Sequence, residues 1–130
     1  MNFSGIVTAS LDPVIEIEVS NGIGLRERIE AVVDSGFNDF VSLPKSVAED
    51  LSLISTDPIL VELADGNVVE TPTFIGRVLW DGAEQIIRVQ QGEGRPLVGM
   101  VLLLEHRITI DVHYNGAVRI APIPDTQGIN

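Results

Sequence analysis

Short runs of β-branched and aliphatic residues, each closed by a Gly, Asn or Asp turn, recur along this chain and leave it little to fold into except antiparallel sheet. Ile15, Ile17 and Val19 alternate with Glu16 and Glu18, the period of a strand with one face in water. Ser20-Asn21-Gly22 turns the chain into a return strand, Leu25 to Val33, with Leu25, Ile29, Ala31 and Val33 on one face and Arg26, Arg28 and Glu30 on the other. Ala64-Asp65-Gly66-Asn67 lies between the apolar runs Pro58–Leu63 and Val68–Thr73, which predicts a long hairpin with a polar tip. Phe74–Trp80 and Gln85–Val89 flank Asp81-Gly82, and Ile108, Ile110 and Val112 lead through Tyr114-Asn115-Gly116-Ala117 to Val118 and Ile120. Two pieces read as helical: Pro44–Leu51, with Val47, Ala48 and Leu51 at helical spacing, and a buried turn over Val101–Glu105. Ser52–Asp57 reads as a loop. Roughly nine short strands make the chain all-β and mostly antiparallel, a sandwich or partly closed barrel.

Such a fold needs enough apolar surface, and 45% apolar residues in 130 supply one domain's core. The domain is expected over residues 1–121, with 122–130 a flexible tail that carries Pro122 and Pro124 and little to bury. Nineteen acidic residues against 8 basic ones give a net charge of -11, which opposes phosphate backbones and anionic membrane surfaces, so neither nucleic acid nor membrane is an expected partner. Cysteine is absent, which excludes disulfides and thiolate metal sites. No basic segment followed by an apolar core opens the chain, and no run reaches the ~20 apolar residues of a membrane span. A cytoplasmic protein without cofactor or metal is the expectation.

The stretch that singles itself out chemically is Ala31-Val32-Val33-Asp34-Ser35-Gly36. An apolar strand runs into an acidic corner followed by Phe37, Phe40, Val41 and Leu43, so the Asp34 carboxylate is expected among apolar neighbours. An unpaired carboxylate there costs several kcal/mol, so Asp34 either accepts hydrogen bonds from its own turn or has a function. Taken alone, Asp-Ser-Gly is ordinary turn chemistry.

Other candidates are weaker. His106, between Glu105 and Arg107, and His113, beside a turn, read as solvated residues without the partners of a nucleophilic or metal site. Asp111 alternates with Ile110 and Val112 and should face water, Glu16 and Glu18 should form a solvated face, and Trp80 reads as core. Gln91-Gly92-Glu93-Gly94-Arg95-Pro96 is a surface loop, not a phosphate cradle, because no apolar helix starts there.

Four features occur in one order: apolar-apolar-Asp34-Ser35-Gly36, a polar-tipped hairpin at Asp65-Gly66, Leu97-Val98-Gly99-Met100, and the Leu-rich Leu102-Leu103 segment before a last hairpin. Together with Gly36-Phe37 and Leu43-Pro44, this order resembles the retropepsin-like aspartic proteases, in particular their short single-domain bacterial form, from Gly5 to Ile120. The resemblance implies a closed β-barrel or sandwich protomer with a flap hairpin and one or two short helices.

It also implies an activity, that of an aspartic endopeptidase acting on a peptide or protein substrate. Each chain would supply one Asp-Ser-Gly loop, and two copies would meet about a two-fold axis so that paired Asp34 carboxylates face one water and share one proton. No covalent intermediate or metal is required. By the same resemblance Ser35 and Gly36 support the active-site loop, Gly99 is structural, Asn38 and Asp39 contact the substrate main chain, and Ala64, Asp65, Gly66 and Asn67 form the flap tip over the substrate. Retroviral members carry an Arg after the second glycine that pairs with an acid beyond the catalytic turn. Here Met100 and Asn38 stand in those places, so that ion pair is missing. The rival reading keeps the fold as a dimeric, non-proteolytic domain that binds a peptide or protein in the groove.

Overall fold

The computed structural model describes residues 3–124. Among them the chain forms strands β1 (Phe3–Val7), β2 (Pro13–Ser20), β3 (Arg26–Val33) and β4 (Val41–Pro44), helix α1 (Lys45–Asp50), and strands β5 (Ile54–Glu62), β6 (Val68–Trp80), β7 (Ala83–Gly92), β8 (Leu97–Val98), β9 (His106–Ile110) and β10 (Ala117–Pro122). The strands make one sheet in the order β5-β6-β7-β4-β8-β3-β2-β1-β10-β9. It curls on itself, because β2 pairs a second time, with β6, through Val19 opposite Val78 and Ser20 opposite Arg77. The all-β barrel expected from the turn pattern is thereby formed.

The predicted alternation carries the core. Ile15, Ile17 and Val19 from β2 and Ile29, Ala31 and Val33 from β3 are buried, in an antiparallel register that sets Ile17 opposite Ile29. Each such side chain contributes about 2 kcal/mol by leaving water. Glu16 and Glu18 hold the solvated face, answered by Arg28 at 3.9 Å and Arg26 at 3.1 Å. The turn between these strands uses Asn21 Oδ1 as acceptor for Ile23 N at 2.9 Å and Leu25 N at 3.1 Å, with Gly22 and Gly24 at positive φ. Trp80 is buried and stacks on Phe3 with ring centroids 4.2 Å apart.

Helix α1 starts after Pro44 and buries Ala48, with Leu51 buried just past its end. Over Val101–Glu105 only turns form, held by Leu103 N donating to Gly99 O and His106 N to Leu103 O. Leu102 and Leu103 are buried there, while Val101 and Leu104 face solvent.

Several boundaries differ from expectation. The loop expected over Ser52–Asp57 is strand from Ile54 onward, because Ile54, Ser55 and Thr56 pair with Ile75, Phe74 and Thr73. A register shift between Thr56 and Ile59 absorbs Pro58, and Thr73 Oγ1 donates to Asp57 O at 2.9 Å. Val68–Thr73 and Phe74–Trp80 are one strand, β6, continuous because its partner changes from β5 to β7 along its length. β1 carries no legible alternation because Gly5 lies against β2, where an added Cβ would stand 1.8 Å from Val14 O. β9 ends at Ile110, leaving Val112 in the following turn and exposed. At the C-terminal side, β10 includes Pro122, and Ile123 N donates to Glu105 O, so ordered pairing runs past residue 121. The rest of the expected tail, residues 125–130, lies outside the described residues. No helix among the described residues is long and apolar enough to cross a membrane.

Candidate active site

The Asp34 corner is built by two strands that run side by side. β3 and β8 are parallel, with Val33 opposite Val98, and Asp34 N donates to Val98 O at 2.9 Å. The chain then leaves the sheet, and Asp34 closes its own turn: Oδ1 accepts Gly36 N at 2.8 Å and Asp34 O accepts Phe37 N at 3.2 Å. An added Cβ on Gly36 would stand 3.2 Å from Asp34 Oδ1, so a side chain there would crowd the carboxylate. Asp34 is half-buried, less enclosed than its apolar neighbours in sequence suggested, because Ser35 and Gly36 beside it are exposed on the protomer surface.

The loop from Asp34 to Phe40 is anchored from below by the second apolar-apolar-Gly. Gly99 N donates to Phe40 O at 2.9 Å, Met100 N to Phe37 O at 2.8 Å and Val101 N to Asp39 O at 3.2 Å. Gly99 is buried against that backbone, and an added Cβ would lie 2.2 Å from Asp39 O and 2.6 Å from Phe37 O. Only glycine fits there without displacing the loop.

An ion pair that the sequence reading missed holds the loop's far side. Asp39 is only 2% exposed, and its Oδ1 accepts Phe40 N at 2.8 Å while Oδ2 accepts Gln90 Nε2 at 2.7 Å and Arg88 Nε at 3.1 Å. The Asp39 side chain is therefore turned into the wall, whereas Asn38 is exposed at its rim. Met100 supplies no cation, but an Arg from β7 reaches an acid one residue beyond Asn38 and ties loop to sheet. Arg88 and Gln90 were hidden because they flank buried Val89 and read as the solvated face of a strand.

These elements enclose a cleft of about 350 Å³. One side is Gly36 to Asp39 with Arg88 and Gln90; the other is Ile59 to Glu62 on β5. Of the β5–β6 hairpin, the strand Ile59–Glu62 supplies the cleft wall, and the tip does not line the cleft. Ala64, Asp65, Gly66 and Asn67 sit at the exposed end, where Leu63 N donates to Asn67 O and Gly66 N to Leu63 O. Asp65 accepts both Asn67 N and Asn67 Nδ2 at 2.9 Å, so the turn is closed by its own hydrogen bonds.

Away from the cleft, His106 is not the solvated residue expected. Its side chain is 7% exposed, with Nε2 2.7 Å from Asp81 Oδ2, Nδ1 2.8 Å from Leu104 O, and its ring tilted against Trp80. Among the described residues no three His, Cys, Asp or Glu side chains come together as a metal cluster.

Solved structures share this fold. The EIAV protease, in complex with an inhibitor, superposes with a TM-score of 0.56 over 71% of this chain and 85% of its own, at 15% identity. A retropepsin-like aspartic protease from Rickettsia conorii does so with a TM-score of 0.51 over 92% of this chain and 90% of its own, at 20% identity. The fold is retropepsin-like. No protein-family model matches the chain, and no curated protein matches it in sequence. In this fold the loop that follows Asp34, from Gly36 to Asp39, faces the β5 strand Ile59–Glu62 across the cleft, and the ion pair of Asp39 and Arg88 ties that loop to β7.

Proposed function

We propose that the chain is an aspartic endopeptidase that works as a homodimer. The observation that carries this reading is the contrast between the two acids of one loop. Asp39 is buried and committed to three donors, while Asp34 is held by a single side-chain acceptor bond beside exposed Ser35 and Gly36. One protomer thus offers one available carboxylate on this loop. Water-mediated peptide hydrolysis needs a base to take the proton of the attacking water and an acid to protonate the carbonyl oxygen. The second carboxylate comes from Asp34 of another copy across an isologous interface, where two like charges in contact hold one proton between them.

In this scheme the ionised member of the pair deprotonates the water as it attacks, and the protonated member donates to the oxygen of the tetrahedral adduct. Ser35, exposed on the single protomer, bonds the opposing loop and fixes the two acids in register. Asn38 at the rim contacts the substrate main chain, and the hairpin tip at Ala64–Asn67 closes over it to exclude water.

The test compares wild type with Asp34→Asn for cleavage of a denatured protein mixture from acidic to neutral pH, with gel filtration of both. New fragments from wild type alone, and elution as a dimer, are the expected results. Identical fragment patterns from the two proteins sink the reading. A wild-type dimer that binds peptides without cleaving them supports the binding-domain rival instead.

A further inference from the structure

The geometry points to Arg88 as a specificity determinant that selects a peptide bearing a carboxylate side chain, Asp or Glu, at the position lying in this cleft. The inference rests on the reading of the cleft as a peptide site. Arg88 lines it, and its side chain is 45% exposed. Nε is directed to Asp39 at 3.1 Å, and among the described residues Asp39 is its one ion-pair partner. That bond engages Nε and leaves both terminal nitrogens without an ionic partner among the described residues. Two parallel N–H donors of a planar guanidinium match the two oxygens of a carboxylate.

The neighbouring charges do not cancel this. Asp39 is buried behind Arg88, and its oxygens also accept from Phe40 N and Gln90 Nε2, so its charge is dispersed over donors on the inner side. Glu62 is the other acid of the lining, but it stands on the opposite wall, on β5, and is exposed to screening solvent, and Arg88 is the one cation of the lining. In that wall Ile59 and Val61 are half-buried, while Leu60, at 74% exposure, and Glu62 are exposed. The remaining walls are apolar or amide, and they satisfy the aliphatic stem of an acidic side chain but not a second charge. The whole chain carries -11, which repels polyanionic peptides, so the favoured ligand has one acid at this position in an otherwise neutral or basic sequence.

The probe is a set of neutral octapeptides in which Glu, Gln or Lys is moved along the sequence, offered to wild type and to the double variant Asp39→Asn/Arg88→Met. The double variant removes both charges, while the amide oxygen introduced at position 39 keeps an acceptor for Phe40 N, so no buried carboxylate is left unpaired. Cleavage sites are read by mass spectrometry, and binding is read separately on the Asp34→Asn background. At one fixed position wild type should prefer Glu over Gln about tenfold, and the double variant should lose that preference. Equal use of Glu and Gln by wild type, or a preference unchanged in the double variant, overturns the assignment. If wild type cleaves nothing, the endopeptidase reading fails, and Glu-over-Gln binding that disappears in the double variant still upholds the subsite. Absence of binding by any peptide overturns it.

Discussion

Arg88 Nε donates across 3.1 Å to Oδ2 of Asp39, so an exposed strand residue secures a carboxylate that is 2% exposed. Removing the cation leaves the acid buried, with only Gln90 Nε2 and Phe40 N as donors. Arg88→Met should therefore destabilise the fold by about 2 kcal/mol, while Asp39→Asn/Arg88→Met should recover most of that loss because nothing charged remains buried. Urea unfolding of Asp39→Asn, Arg88→Met and the double variant gives the cycle, and additive single effects would show that the pair is not coupled.

Gly99→Ala should cost about 3 kcal/mol. The added methyl group would meet Asp39 O at 2.2 Å and Phe37 O at 2.6 Å, both backbone atoms of the loop that presents Asp34, and neither can rotate out of the way. The loop must shift, so peptide cleavage should fall further than the loss of folded protein explains. Activity per folded molecule, with the folded fraction taken from circular dichroism, separates the two effects. Retention of full activity would mean that the anchoring by Gly99 does not set the catalytic geometry.

Asp34→Asn and Asp34→Ala should differ in stability but agree in chemistry. An Asn oxygen can still accept Gly36 N, the bond that Asp34 Oδ1 makes at 2.8 Å, whereas Ala leaves that turn without its acceptor. Asn should therefore melt close to wild type and Ala should lose about 1 kcal/mol. Both should lower hydrolysis by roughly a thousandfold, the scale of a missing general base. A thermal melt paired with a fluorogenic peptide assay distinguishes the structural part of the carboxylate from its chemical one.

How far the sequence alone carried these conclusions depended on which forces were local. The β2–β3 hairpin was legible because Ile15 to Val19 alternate strictly and Asn21 caps its own turn. The Asp34 corner was legible because its turn is closed by residues two and three positions away. What failed was decided by partners far along the chain. Ile54–Asp57 is strand because β6 pairs with it, and Arg88 acquires its role from an acid 49 positions earlier. His106 had the same fate: flanked by Glu105 and Arg107 it looks solvated, and only the fold brings Asp81 and Trp80 to it.

That last contact makes its own prediction. Asp81 adopts φ 52° and Gly82 φ 81° in the tight turn joining β6 to β7, a conformation that suits Asp, Asn and Gly. The Asp81 carboxylate reaches His106 Nε2 at 2.7 Å, while Nδ1 meets Leu104 O at 2.8 Å, so the side chain joins the β6–β7 turn to the start of β9. His106→Phe preserves an aromatic ring against Trp80 but removes both polar contacts and leaves Leu104 O without its partner; it should cost about 2 kcal/mol. Asp81→Asn keeps the turn conformation and a neutral acceptor and should cost less than half as much, whereas Asp81→Ala adds left-handed strain to the lost contact and should approach the His106→Phe value. Because the contact lies away from the cleft, these variants should change melting temperature and leave the peptide preference at Arg88 intact. A loss of peptide selectivity in folded His106→Phe would instead mean that the β6–β7 turn positions Arg88 through its own strand.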